Sequence, residues 1–446
     1  MPGRGIPMGF RSWGNNMPSM FGTPQRRRVP WRAYTLFAAL LVAGVVHAQQ
    51  APFTLDAALQ SATDRSASMQ AAQASVRASS EGAVKAGQLP DPMLTAGIDN
   101  LPINGDQRFT IGQDFMTMRR IGIQQEWVSG KKRQLRSALA DEMVGRERAG
   151  YLMQLANVRQ QTAAAWLNAV YAKKGLALQQ ALLDHMHHEL AATKASYRGA
   201  KASATDVVQA QAMLAQTQDQ VLKAQQTYQT ALIGLSRWTA VPVSDVSGEP
   251  PAPESFVSSL PPDELRISQP ALVAASDDIA VAEADTAVAN SERSPNWTWQ
   301  VAYQQRGGAY SNMVSIGVTI PLPLNRKNLQ DRDVAQKAAL ATKARLTYED
   351  MLRQVQADIR MQSATLASGR ERIANLSESL LPAADQRVQL ANAAYRAGAG
   401  ALADTFAARR AQLEAQLQVL DVKREISQTW AQLEYQVVPS TMAAAQ

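Results

Sequence analysis

The chain has 446 residues, with 45 Lys or Arg against 38 Asp or Glu, and no cysteine. The missing thiols exclude disulfides, thiolate metal sites and a lipidated N-terminal Cys. Hydrophobic residues make up 46% but aromatics only 6%, a composition suited to long, closely packed helices rather than a bulky globular core.

In chain order, residues 1–48 read as an export leader. Arg26, Arg27, Arg28 and Arg32 precede an apolar run from Ala33 to Val46, and Val46-His47-Ala48 is a small-x-small cleavage site, which predicts cleavage after Ala48. The apolar run is too short for an ordinary spanning helix. Met1, Met17 and Met20 are all candidate starts. The leader carries six Arg and no acid. Without it the chain is near neutral, so the net charge of +7 is no argument for a nucleic-acid partner. No later apolar run reaches about 18 residues, so no membrane helix is expected.

The rest repeats itself. Tyr197-Arg198-Gly199-Ala200 with Asp206 matches Tyr395-Arg396-Ala397-Gly398 with Asp404, at an offset of 198. Met118, Ile121-Gly122-Ile123 and Lys132 match Met313, Ile316-Gly317-Val318 and Lys327 at an offset of 195, and Pro90-Asp91 resembles Pro295-Asn296. A tandem structural repeat explains this order. The first repeat spans 49–238, with strands near 93–100 and 119–128 and a helical hairpin near 131–238. A connection with six prolines, 239–262, follows; it cannot be regular helix or central strand. The second repeat spans 263–438, with strands near 296–305 and 313–320 and a hairpin near 327–437, in which Pro382 marks a break or entry turn. Residues 439–446 are a tail.

The four strand segments alternate with a period of two. Val301, Tyr303, Trp297 and Trp299 share a face, and Thr298, Gln300 and Gln304 share the other. A soluble half-buried sheet alternates likewise, but each segment has about the 9–11 residues a tilted strand needs to cross a bilayer. The apolar face holds Trp127, Trp297, Trp299 and Tyr303, candidates for an interfacial girdle. Four strands cannot close a barrel, and open edges in lipid leave unpaired backbone groups, so the chain is expected to oligomerise. Three copies give 12 strands, enough to leave a lumen.

These features resemble the TolC-type outer-membrane efflux channels. The resemblance covers nearly all of 53–437 and rests on the duplicated layout, the two turns followed by Asp, and IGVTIPLPLNRKN at 316–328. LPDPMLTAGIDNLPI and TMRRIGIQQEW look most like the heavy-metal branch (copper/silver or cobalt/zinc/cadmium). The resemblance implies a homotrimer, mainly α with membrane β: a 12-stranded barrel in the outer membrane of a Gram-negative bacterium, surrounded by lipid, continued by a long periplasmic α-helical barrel. It implies a periplasmic adaptor and an inner-membrane pump as partners, passive conduction, and no covalent chemistry, nucleic acid or cofactor. A drug-efflux or type I protein-secretion channel stays open as an alternative, as does a soluble periplasmic coiled-coil adaptor.

The resemblance also implies roles at the two turns, as periplasmic tips. Tyr395 would bond Asp206, Asp404 would form a constricting ring, and Thr205 keeps a latch position whose Arg partner is here Gly400. A second acidic position after Asp404 is Ala407. Tyr197, Arg198, Gly199, Arg396 and Gly398 would meet the adaptor. Helix-start electrostatics by itself accounts for an acid at Asp206 and Asp404. Asp184, His185 and His188 have a helical spacing that can hold a transition metal, but a solvated helix face is the plainer reading and no metal site is assigned. Met116 and Met118 could offer sulfur to Cu(I), though loop or strand packing explains them as well. No phosphate loop, zinc-protease motif or nucleophile elbow appears.

Overall fold

The computed structural model describes residues 53–439. The expected leader, and all but the first residue of the expected tail, lie outside them. Two short helices, α1 (Leu55–Arg65) and α2 (Ala67–Ala86), lead into strands β1 (Met93–Asp99) and β2 (Met118–Trp127). The helices α3 (Gly130–Arg198) and α4 (Ala204–Thr239) follow. After the Pro-rich connection come α5 (Pro262–Ser268), α6 (Pro270–Ser291), β3 (Trp297–Gln305) and β4 (Met313–Thr319). The chain ends with α7 (Gln330–Asn375), α8 (Leu381–Arg396) and α9 (Leu402–Tyr435). No described helix is long and apolar enough to cross a membrane.

No proline interrupts α3, and its 69 residues span about 100 Å at 1.5 Å per residue. It is the spine: α1, α2, α4, α6 and α9 all pack on it. Its neighbour α4 presents Ala210, Thr217, Val221, Tyr228 and Leu235 as a buried stripe, the alternating three-and-four spacing of a helix seam. Small residues at that seam let the backbones come close. Buried clusters lie in turn along α3. Leu155 and Val158 pack with Met69 and Val438. Trp166, Leu167 and Val170 pack with Leu235, Leu272, Trp430 and Leu433. Met186 packs with Ala210, Leu402 and Phe406.

The second hairpin departs from a clean break at Pro382. Residues Leu376–Leu380 form one π-helical stretch that joins α7 to α8. Pro382 lacks the N–H that would continue the α pattern. A widened turn just before it absorbs the mismatch without ending the helical path.

The connection is an ordered belt. Phe53 bridges Val246 in parallel fashion, and the Trp166 indole N–H donates to the Phe53 carbonyl at 2.9 Å. The Trp430 N–H donates to the Glu254 carbonyl at 3.0 Å. Lys173 donates to Asp245 at 2.6 Å and to the Val246 carbonyl at 2.8 Å, and the Tyr228 hydroxyl donates to the same carboxylate at 2.5 Å. Burial, then the Asp245 acceptor, holds the Tyr228 phenol well above its usual range. Burial raises the Asp245 carboxyl, but hydrogen bonds from Lys173 and Tyr228, with the Lys173 charge, outweigh it and leave the group below its ordinary value.

Replacing Tyr228 by Phe removes a donor to a charged acceptor and should cost about 1–2 kcal/mol in urea or thermal unfolding. Because folding depresses Asp245, its contribution is present above about pH 4, the unfolded carboxyl value, and is lost as pH falls through the folded value. Asp245→Asn should flatten that part of the acid limb in a stability-against-pH curve.

Candidate functional site

The four strands form one antiparallel sheet in the order β1-β2-β3-β4. Register sorts the side chains into rows. Leu94, Ile123, Val301 and Ile316 lie side by side, and Ala96, Ile121, Tyr303 and Val314 form the next row. Trp127 faces Trp297, and Trp299 faces Val318. All these large side chains are exposed, Ile316 by 78% and Trp297 by 50%. Apolar patches this extensive are rare on soluble monomers.

The opposite face is polar and small. Thr95, Gly122, Ala302 and Ser315 make one row there, and Gln124, Gln300 and Gly317 another. Arg120 pairs with Asp99 at 3.3 Å, and the Gln304 amide donates to Ser315 at 3.1 Å. Gly122 is required by crowding: a Cβ there would come within 2.7 Å of the Ala302 Cβ. The sheet is thus oily on one side and wet on the other. Among the described residues β1 and β4 each have one strand neighbour only, so each leaves a row of backbone donors and acceptors open.

The sheet is locked to the helices by a buried cation. Lys132, 3% exposed, donates to Glu292 and to Asn296, both at 2.8 Å. Arg136 donates to the other Glu292 oxygen at 2.7 Å, and the Asn296 amide donates to Glu126 at 2.8 Å. Burial raises the Glu292 carboxyl, but the two cations outweigh it and pull it down. This network ties β2, α3, α6 and β3 together. The sequence shows Lys132 and Asn296 but not that they meet, because their partners lie some 160 residues away.

At the far end of the helices the two turns share a backbone geometry. In the first, the Ala200 N–H donates to the Tyr197 carbonyl at 3.0 Å and the Lys201 N–H to Ser196 at 2.9 Å. In the second, Gly398 donates to Tyr395 at 3.0 Å and Ala399 to Ala394 at 2.9 Å. The left-handed position is Ala200 in one (φ 56°) and Gly398 in the other (φ 70°). Gly199 sits one residue early, at φ −85°.

Asp206 and Asp404 occupy the same place in the first turns of α4 and α9. Asp206 accepts from the Ser203 N–H and hydroxyl, both at 2.8 Å, while Ser203 Oγ accepts from the Asp206 N–H at 3.1 Å. This is a complete capping box. The Ser203 backbone donor, then its hydroxyl, lowers the Asp206 carboxyl. In the second turn Asp404 accepts from the Ala401 N–H at 3.2 Å, and Ala401 has no side-chain acceptor to return.

Tyr395 packs against Met186, Ala210, Leu402 and Phe406. Burial, then the Asp206 and Glu189 carboxylates, raises its phenol. The structure therefore brings Tyr395 and Asp206 within reach of each other's charge. No hydrogen bond joins them among the described residues; Asp206 Oδ2 is held by Ser203. Thr205, Tyr197, Arg198, Gly199, Arg396, Gly398 and Asp404 are exposed at this end. His185, His187 and His188 are exposed as well, and no group of three metal-ligating side chains occurs among the described residues. Met116 lies in the β1–β2 loop and Met118 opens β2.

Residues 262–435 match the family described as outer membrane efflux protein. The cobalt-zinc-cadmium resistance protein CzcC of Cupriavidus metallidurans is 27% identical over 179 residues, 39% of each chain, so the match spans about two fifths of that relative. A membrane protein from Pseudomonas aeruginosa shares the fold, with a TM-score of 0.74, 16% identity and coverage of 86% of this chain and 89% of that one. So does CusC, solved in work on folding and transmembrane channel formation, at TM-score 0.69, 14% identity and coverage of 85% and 90%.

An L residue at positive φ costs roughly 1 kcal/mol relative to glycine. Ala200→Gly should therefore slow tryptic cleavage at Arg198 and Lys201, and Gly398→Ala should hasten cleavage at Arg396, each by about fivefold if cleavage follows local opening.

Proposed function

We propose that the chain is a TolC-type outer-membrane efflux protein, as the family match over residues 262–435 supports, and that three copies form a passive outer-membrane channel for export. Its place is the outer membrane of a Gram-negative envelope, with the long helices in the periplasm. The observation that carries this reading is the sheet: exposed and apolar outside, polar inside, and open at both edges. Lipid tolerates no unpaired sheet edge. Three four-stranded sheets joined edge to edge make 12 strands, enough for a water-filled lumen lined by Gln124, Gln300, Arg120 and their neighbours. Trp127, Trp297, Trp299 and Tyr303 are the aromatic girdle of that wall.

The helical end is the gate and the dock. Threefold symmetry would bring three Asp404 side chains around one axis, and three Asp206 side chains beside them. Rings of carboxylates favour cations over anions. Tyr395 is placed to bond an Asp206 carboxylate when the Ser203 cap releases, with Thr205 next to it. The exposed Tyr197, Arg198, Gly199, Arg396 and Gly398 are the surface for a periplasmic adaptor, which in turn joins an inner-membrane pump.

For cargo we propose divalent heavy-metal cations. The likeness to CzcC and the acidic tip support this reading. No tight metal site is needed, since conduction requires weak binding.

The purified protein should run as a heat-dissociable trimer extracted only by detergent, and should conduct in a planar bilayer. A water-soluble monomer would overturn the channel. Deleting the gene should lower tolerance to cobalt, zinc and cadmium. Lost drug tolerance with unchanged metal tolerance would overturn the cargo and leave the channel standing.

A further inference from the structure

The duplication carries a stronger prediction than strand number. The sequence matches β1 to β3 at an offset of 205, through Pro90-Asp91 and Pro295-Asn296, and β2 to β4 at an offset of 195. Shifting each β1–β2 pair by these offsets yields the observed β3–β4 pairs. Leu94↔Ile123 becomes Trp299↔Val318, Ala96↔Ile121 becomes Val301↔Ile316, and Asp99↔Met118 becomes Gln304↔Met313. The pairs between these fit equally. The repeat is therefore geometric to the single residue, and one-residue slips would turn every side chain to the wrong face.

Among the described residues, the β2–β3 pairing is the one strand joint between the repeats. Its counterpart would join β4 of one copy to β1 of the next. Applying the same offsets to Ile121↔Tyr303, Ile123↔Val301 and Gln124↔Gln300 gives definite pairs. These are Ile316 with the partner's Ile98, Val318 with the partner's Ala96, and Thr319 with the partner's Thr95.

A second observation supports the same joint. Inside the chain, two residues after β2 are buried: Val128 is 1% exposed and Lys132 is 3% exposed. Their counterparts after β4 at the same offset, Pro323 and Lys327, are both exposed, as is every residue of 321–329. Lys132 reaches Asn296 at 2.8 Å. The offsets carry that contact to Lys327 and Asp91. Both are exposed, and neither side chain has an ion pair or hydrogen bond among the described residues. What is buried at one joint lies bare at the other, as expected where a second copy has yet to dock.

We infer that β4 pairs with β1 of a neighbouring copy in this register, and that Lys327 forms an ion pair with the partner's Asp91 at the foot of the seam. The inference rests on the trimeric reading above. At the intramolecular joint Lys132 meets the Asn296 amide and the Glu292 carboxylate; at the 205 offset Glu292 becomes Gly87, so the partner's Asp91 is the carboxylate left to hold Lys327.

The chain has no cysteine, so disulfide trapping reads the seam directly. Directly opposed residues approach to about 4.5–5.5 Å between Cα atoms, within disulfide range. Val318→Cys with Ala96→Cys, and Thr319→Cys with Thr95→Cys, should each give covalent trimers on non-reducing gels after mild oxidation. These two pairs sample both kinds of antiparallel site. Val318→Cys combined with Leu94→Cys or Ile98→Cys should link poorly. Stronger linking by either shifted pair, in a protein that still runs as a trimer, would overturn the register while the channel reading stands. A monomer with no linking at any pair would overturn both. Lys327→Asp and Asp91→Lys should each lower the temperature at which the trimer dissociates, and the double exchange should restore it. No restoration, with correct cross-linking, would overturn the ion pair alone.

Discussion

Every backbone N–H and C=O in a sheet needs a partner, and lipid supplies none. That requirement organises the whole chain. A sheet with Leu94, Ile123, Val301 and Ile316 in one exposed row cannot rest in water, and with bare margins at β1 and β4 it cannot rest alone in a bilayer. The oligomer proposed above thus rests on hydrogen bonding and burial together, not on either by itself. On the other face the residues are small where strands crowd, as at Gly122 and Ala302.

The helices answer a different constraint. A spine about 100 Å long must be held straight without bulky packing, and α3 is supported at intervals by separate clusters rather than one core. The belt of residues around Asp245 and Trp430 lies against the largest of these. The π stretch before Pro382 is the one interruption of the α pattern between Gln330 and Arg396.

Much of the fold was legible because its signals are local. Alternation at 297–305 and 313–319 marks strands from side-chain period alone, and the paired Tyr-Arg turns announce themselves by repetition. The site was legible less evenly. Asp206 and Asp404 stand out in sequence, but Ser203 as the reciprocal cap of the first, and its absence in the second, emerges only when the turn is built. Nor does glycine placement mark the left-handed position of the first turn, which falls on Ala200, one residue after Gly199. Lys132 with Glu292 and Asn296, and Lys173 with Asp245, could not be read at all, since nothing in linear order says which distant acid a buried amine will meet. Pro382 signalled disruption correctly but not its form, because a helix already packed on α9 can widen by one turn more cheaply than it can stop.

The tryptophans are divided in a way that has an optical consequence. Among the described residues Trp127, Trp297 and Trp299 stand exposed on the apolar face of the sheet, whereas Trp166 and Trp430 are buried among the helices and Trp238 is half-buried in α4. In a vesicle, brominated acyl chains would dim the first set and leave the second emitting. One intrinsic spectrum thus carries two reporters, the quenched fraction following insertion of the wall and the unquenched fraction following integrity of the stalk.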